Sequence, residues 1–186
     1  LYKLKRTLTK IKWTDIEKAK NLLDSYGIKH IQAIGEADKL CASLVIKKKV
    51  FAVLSEDMDL FAYGSLNVIR YFSLINHTCV LFNFKDILKT LEMSQDDFKL
   101  MCCISGNDYL KNDKNIFHYF SLNKKFKKRK VDGLWIDWLF NLEKITDITK
   151  EEIENTKNLY TINNELNKYK YFIIKNTRYD KEKILD

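Results

Sequence analysis

Five acids stand in short polar stretches beside apolar runs: Glu36 and Asp38 in "GEADKLCASLV", Asp57 and Asp59 in "SEDMDLFAYGS", and Asp108 in "MCCISGNDYL". Carboxylates that converge on one place repel each other and raise one another's pKa unless a cation sits among them. Hard divalent ions such as Mg²⁺ and Mn²⁺ take oxygen ligands of this type. Two such ions about 4 Å apart clamp the attacking and leaving oxygens of a phosphodiester during in-line displacement. Each acid taken alone has a plainer explanation, because a negative side chain at a helix start offsets the helix dipole by about 0.3 to 1 kcal/mol. Capping of helix starts by short polar side chains is routine.

Other reactive residue types offer less. His30, His77 and His118 have no metal-ligand spacing and read as structural or exposed. Cys41, Cys79, Cys102 and Cys103 lie in apolar surroundings without a CxxC pair, so neither a disulfide framework nor a zinc site is indicated and a reducing, intracellular setting is expected. Cys102 and Cys103 read as packing residues on a buried helix. Tyr109 reads as a partly buried core aromatic, with stacking on a base as the alternative. The run "KKFKKRK" holds Lys124, Lys125, Lys127, Lys128, Arg129 and Lys130 around Phe126. It suits salt-sensitive phosphate contacts; a solvated loop and a nuclear-localisation signal are the other readings.

The elements that must position these residues follow from periodicity and punctuation. Thr14 and Glu17 form a capping box ahead of "IEKAKNLLDSY", and Gly27 stands where a helix end needs a left-handed residue, so the first helix is predicted over 15–26. "IKHIQAI" reads as a strand, "EADKLCASLVIKK" as a helix and "VFAVL" as a buried strand. "NVIRYF" and "TCVLFN" are two further strands, followed by the helices "FKDILKTLE" and "SQDDFKLMCCI", the latter opened by Ser94. This alternation predicts an α/β fold with a largely parallel sheet flanked by helices. In such sheets sites form at the carboxyl ends of strands, where all of the acids except Asp108 would then sit. Beyond about Asp132, Trp135, Trp138 and Phe140 repeat at helical spacing and read as core; that helical region suggests no function.

The composition is permissive. With 186 residues, 46% of them hydrophobic, the chain can bury one core. A net charge of +8 suits a polyanionic partner but is also common in Lys-rich intracellular proteins. No apolar run approaches the roughly 20 residues of a membrane span, and no secretory signal is visible. The chain opens on Leu1 rather than Met, which points to a fragment or a processed product.

The three acidic stretches, in this order and at about this spacing, resemble the internal motifs of the flap endonuclease and xeroderma-pigmentosum-G-type (Rad2-like) structure-specific nucleases. The resemblance runs from about Lys10 to Leu110. It implies a PIN-like nuclease core in which Glu36, Asp38, Asp57, Asp59 and Asp108 surround two Mg²⁺ ions, with Mn²⁺ as a substitute, and Glu56 points elsewhere. Asp38 stands where the family has Glu. The resemblance also implies that two further metal-binding aspartates, an arch and basic residues belong to a preceding half that is missing here. The Gly-rich helix-hairpin-helix that the family carries after Asp108 would be remodelled or lost, since no Gly lies between Gly106 and Gly133. The expected organisation is an internal nuclease region, 1–110, then a basic loop and helical carboxyl-terminal region, 111–186. The implied activity is metal-dependent cleavage of flapped or branched DNA in replication or repair, and the alternative is an inactive DNA-binding module. Implied partners are that DNA, the missing half and possible docking to a replication clamp, with no membrane. The implied place is the nucleus or a viral replication compartment.

Overall fold

The computed structural model describes residues 10–129, 133–142, 145, 148–163 and 169. The chain divides into two compact units, one of residues 1–35 with 169–186 and one of residues 36–168.

In the first unit, α1 (Trp13–Ser25) begins earlier than its acidic pattern suggests. Its cap is Lys12, whose backbone amide donates to Asp15 at 2.9 Å, so Thr14 lies inside the helix rather than before it. Glu17 pairs with Lys20 at 2.9 Å instead of closing a capping box. Gly27 adopts φ +68° after the helix, as its position requires. Residues 28–34 form no strand, contrary to expectation. Ile28, Ile31 and Ile34 recur every third residue, a spacing that in a strand would put successive isoleucines on opposite faces and build no single apolar face, and all are exposed.

The second unit holds the sheet and the remaining helices. Helix α2 (Ala37–Ile46) leads to β1 (Val53–Leu54), the short helix α3 (Asp59–Ala62), β2 (Asn67–Ser73) and β3 (Thr78–Asn83). Then come α4 (Phe84–Leu91), α5 (Gln95–Ile104), α6 (Ile116–Lys128), α7 (Trp135–Asn141) and α8 (Lys150–Leu159). The fold is α/β, but the sheet among the described residues is small and mixed. In the order β1-β2-β3, β1 pairs parallel with β2, Val53 opposite Val68, while β2 and β3 pair antiparallel, Asn67 opposite Asn83. A parallel β2–β3 pair was never available, because the link from Ser73 to Thr78 is far shorter than the dozen or so residues a crossover needs.

Leu60, Val68, Ile104, Leu139 and Ile153 are buried in one core, so α3, β2, α5, α7 and α8 share it. Helix α5 packs against both α6 and α8, and α2 against α3 and β1. Trp135 is buried, as its helical spacing suggested. The basic run is not a loop. Lys124 through Lys128 form the last turns of α6, which buries Tyr119, Leu122 and Asn123 on its other face.

Candidate functional site

Among the described residues, four of the eight helices are capped by neutral side chains. Asn83, Ser94, Asn115 and Thr149 each accept a backbone N–H at the start of α4, α5, α6 and α8. Glu36 occupies the N-cap of α2 yet its side chain caps nothing, and Asp38 follows in the first turn. Asp59 opens α3, but its carboxylate is turned to a different partner. Capping therefore accounts for few of these acids.

Asp57 and Asp59 are set by the bend that follows β1. Ser55 donates its backbone amide to Ile69 O at 3.1 Å, which extends the pairing with β2, and its hydroxyl then accepts from the Asp57 amide at 3.1 Å. Asp57 Oδ1 in turn accepts from the Asp59 amide at 2.9 Å, so two side-chain turns in succession space the carboxylates. Glu56 points away, as expected. Its Oε1 accepts the Tyr71 amide at 2.6 Å and its Oε2 pairs with Arg70 at 3.3 Å on β2.

Asp108 is presented by a turn that Asn107 ties together. The Asn107 Oδ1 accepts from the amides of Tyr109 and Leu110, each at 2.9 Å, and its Nδ2 donates to Cys103 O at the end of α5 at 3.1 Å. Gly106 makes the entry possible with φ +89°; a Cβ there would stand 3.3 Å from the carbonyl oxygen of Asn112. Asp108 thereby reaches the site from the end of α5, not from a strand.

Asp57, Asp59 and Asp108 line one cleft of about 450 Å³, together with Asn107, Ser105, Cys102 and Tyr160. Glu36 and Asp38 approach from α2, and their charges are felt there. The Asp38 carboxyl is raised above its usual value first by burial, then by Asp57 and Glu36. Asp59 is raised first by burial and further by Asp57, Asp108 and Asp38, while a hydrogen bond from Tyr160 works the other way. These are the mutual repulsions expected of a convergent carboxylate set.

Tyrosines floor the cluster. The Tyr160 hydroxyl donates to Asp59 Oδ2 at 2.9 Å. Its ring lies 5.1 Å from Tyr63 and 6.0 Å from Tyr109, both edge to face. The Tyr109 phenol is raised by burial, by Glu36, Asp59 and Asp108, and by its interaction with the Glu36 carboxylate. Tyr109 is 46% exposed, so it is not the core aromatic its sequence context suggested. Cys102 and Cys103 are pushed up to about 12, chiefly by burial, which keeps both thiols protonated and inert. Cys79, by contrast, is exposed on β3.

The donor chemistry fits a hard divalent cation: carboxylate oxygens, mutually repelling, beside an open cleft. The set is open rather than closed. Among the described residues no three His, Cys, Asp or Glu side chains come close enough together to hold a metal ion on their own.

The basic residues lie elsewhere, on α6. Lys124, Lys125, Lys127, Lys128 and Arg129 are exposed. Lys124 sits 4.5 Å over the Phe120 ring, Lys127 donates to the Glu92 carbonyl, and Arg129 lies 5.7 Å over Trp138, which Phe126 also packs against. Lys130 falls outside the described residues. His30 faces Asp24 at 3.4 Å and His118 lies against Tyr119, both structural placements.

Sequence reasoning passed over Asn107 and Tyr160. Asn107 had a local signal, since an Asn between a glycine and an acid is a turn-forming pattern. Tyr160 had none, standing 101 residues from the carboxylate it binds.

Residues 27–108 match the family model described as the XPG I-region. Flap endonuclease 1-B of Oryza sativa subsp. indica is 36% identical over 103 residues, which are 54% of this chain and 25% of that protein. Flap endonuclease-1 of Methanococcus jannaschii has a similar fold, with a TM-score of 0.72 at 21% identity, over 94% of this chain and 51% of that one. The catalytic core of Rad2, solved in complex with DNA substrate, aligns with a TM-score of 0.72 at 18% identity, over 96% of this chain and 65% of that one. The chain thus spans about a quarter of the curated relative and about half of the archaeal structure.

Proposed function

We propose, from the match of residues 27–108 to the XPG I-region, that this chain is part of a metal-dependent nuclease of the Rad2-like structure-specific family acting on flapped or branched DNA. The observation that carries this reading is the cleft of about 450 Å³ lined together by Asp57, Asp59 and Asp108, beside which the Asp38 carboxyl is raised first by burial and then by Asp57 and Glu36. Glu36, Asp38, Asp57, Asp59 and Asp108 are the proposed ligands of two Mg²⁺ ions, with Mn²⁺ as a working substitute. When bound, such a pair activates a water and neutralises charge on the scissile phosphate.

The chain's own residues hold the geometry for that chemistry. Ser55 and Asp57 fix the bend after β1, Asn107 fixes the tip that carries Asp108, and Tyr160, packed edge to face on Tyr63 and Tyr109, donates to Asp59. The openness of the ligand set supports a site completed by water and by further acids from another segment. DNA is proposed to run along the exposed basic face at the end of α6, where Lys124, Lys125, Lys127, Lys128 and Arg129 supply phosphate contacts; Lys130, part of the same proposal, lies outside the described residues.

The same openness favours a second reading, a DNA-binding module that kept the fold without the reaction. Metal titration separates the two. Calorimetry with Mn²⁺ should detect binding by the 186-residue chain, and Asp57→Asn should weaken it at least tenfold. Equal affinity in the variant would return these acids to a structural role and leave the binding module standing.

A further inference from the structure

We infer that Tyr160 is a positioning residue of the carboxylate site, its hydroxyl holding Asp59 in one orientation for a divalent cation. This rests on the reading of the acids as metal ligands. Helix α8 starts in a full capping box, Thr149 with Glu152, and buries Ile153 and Thr156 against the unit's core, where it packs on α5. Its final residue position is therefore well fixed. Tyr160 follows at the C-cap with only 1% of its surface exposed. The edge-to-face contacts with Tyr63 at 5.1 Å and Tyr109 at 6.0 Å hold the ring from two sides.

A buried phenol needs an acceptor, and a backbone carbonyl would serve packing equally well. Here the acceptor is Asp59 Oδ2 at 2.9 Å, a carboxylate already crowded by Asp57, Asp108 and Asp38. Committing Oδ2 to the phenol restricts rotation of the carboxylate and leaves Oδ1 as the oxygen for a cation. Groups that bind metals are commonly aimed in this way by a donor behind them, and removing the donor typically weakens metal affinity about tenfold or more. The two helices thus serve one site: the turn after α5 carries Asp108, and the end of α8 orients Asp59.

Tyr160→Phe removes the hydroxyl and keeps the ring, so packing with Tyr63 and Tyr109 survives. Mn²⁺ calorimetry on the 186-residue chain should show an affinity about tenfold lower in Tyr160→Phe, with an unaltered circular dichroism spectrum. On an Asp59→Asn background the same substitution should cause no further loss, because its only route to the metal is gone. An equal loss on both backgrounds would mean that the hydroxyl acts through the fold, and the inference would fall. Unchanged affinity in Tyr160→Phe, alongside weakened binding in Asp57→Asn, would overturn the role of Tyr160 while leaving the metal-site reading intact. If Asp57→Asn also changes nothing, or the unsubstituted chain takes up no Mn²⁺, both fall together.

Discussion

At the scale of single residues the site is a place where charge is held against its own preference. For Asp38 and Asp59 the folded-state pKa is raised above 3.8, so the folded chain binds these protons more tightly than the unfolded one. Their contribution is most favourable at low pH, and stability falls as pH rises through the raised folded-state values. Without metal, Asp59→Asn should therefore raise the thermal midpoint at pH 7, by a free energy on the order of a few tenths to 1 kcal/mol after solvent screening. Calorimetric melts between pH 4 and 7 should also show a flatter pH dependence for the variant. A lower midpoint at pH 7 would mean that the Asp59 charge is already compensated within the chain. The identity of the acids was legible in the sequence, because types and spacing are local. Their partners were not: Tyr160 comes from a helix whose sequence pattern reports only its own buried face, and Tyr109 was read as a core aromatic from its residue type alone, although Asn107, Asp108 and Lys111 flank it.

The elements show where periodicity carries information and where it stops. Helices α2, α4 and α5 fall within a few residues of their predicted places, since caps such as Ser94 and runs such as "KDILKTL" act locally. The sheet was harder. Residues 28–34 carry isoleucines at a spacing of three, and no strand forms there. Strands β2 and β3 lie where they are expected, but they run antiparallel, as the short link between them requires. Two tests belong at this scale. Gly106→Ala forces a side chain into a left-handed backbone beside Asn112 and should cost about 1 to 3 kcal/mol in a denaturant melt. A neutral result would mean that the turn carrying Asp108 relaxes freely. Replacing Lys124, Lys125, Lys127 and Lys128 with Ala on α6 should weaken DNA binding and flatten its salt dependence, by about 0.9 units of slope for each phosphate no longer neutralised. Equal slopes would place the DNA elsewhere, and these lysines on a solvated helix face.

For the whole molecule, the match to the XPG I-region covers residues 27–108, while the fold likeness extends across 94% of the chain. The carboxyl-terminal helices are therefore part of a shared architecture even where sequence similarity fades, and α8 is tied to the acidic cleft through Tyr160. The chain spans only 25% of the rice flap endonuclease it resembles, and on the proposed reading the remaining ligands of a two-ion site come from a further segment. Two-metal hydrolysis requires its ions to be placed within about half an ångström. The chain alone should accordingly show little turnover, and an upstream half supplied by fusion or in trans should restore it. The most direct measurement is cleavage of a 5′ flap substrate by that reassembled protein. Product should form with Mg²⁺ and disappear with EDTA, and Asp57→Ala or Asp59→Ala should abolish turnover while DNA affinity changes little. A reassembled protein that binds flaps tightly yet cuts none under any divalent metal would contradict the catalytic account.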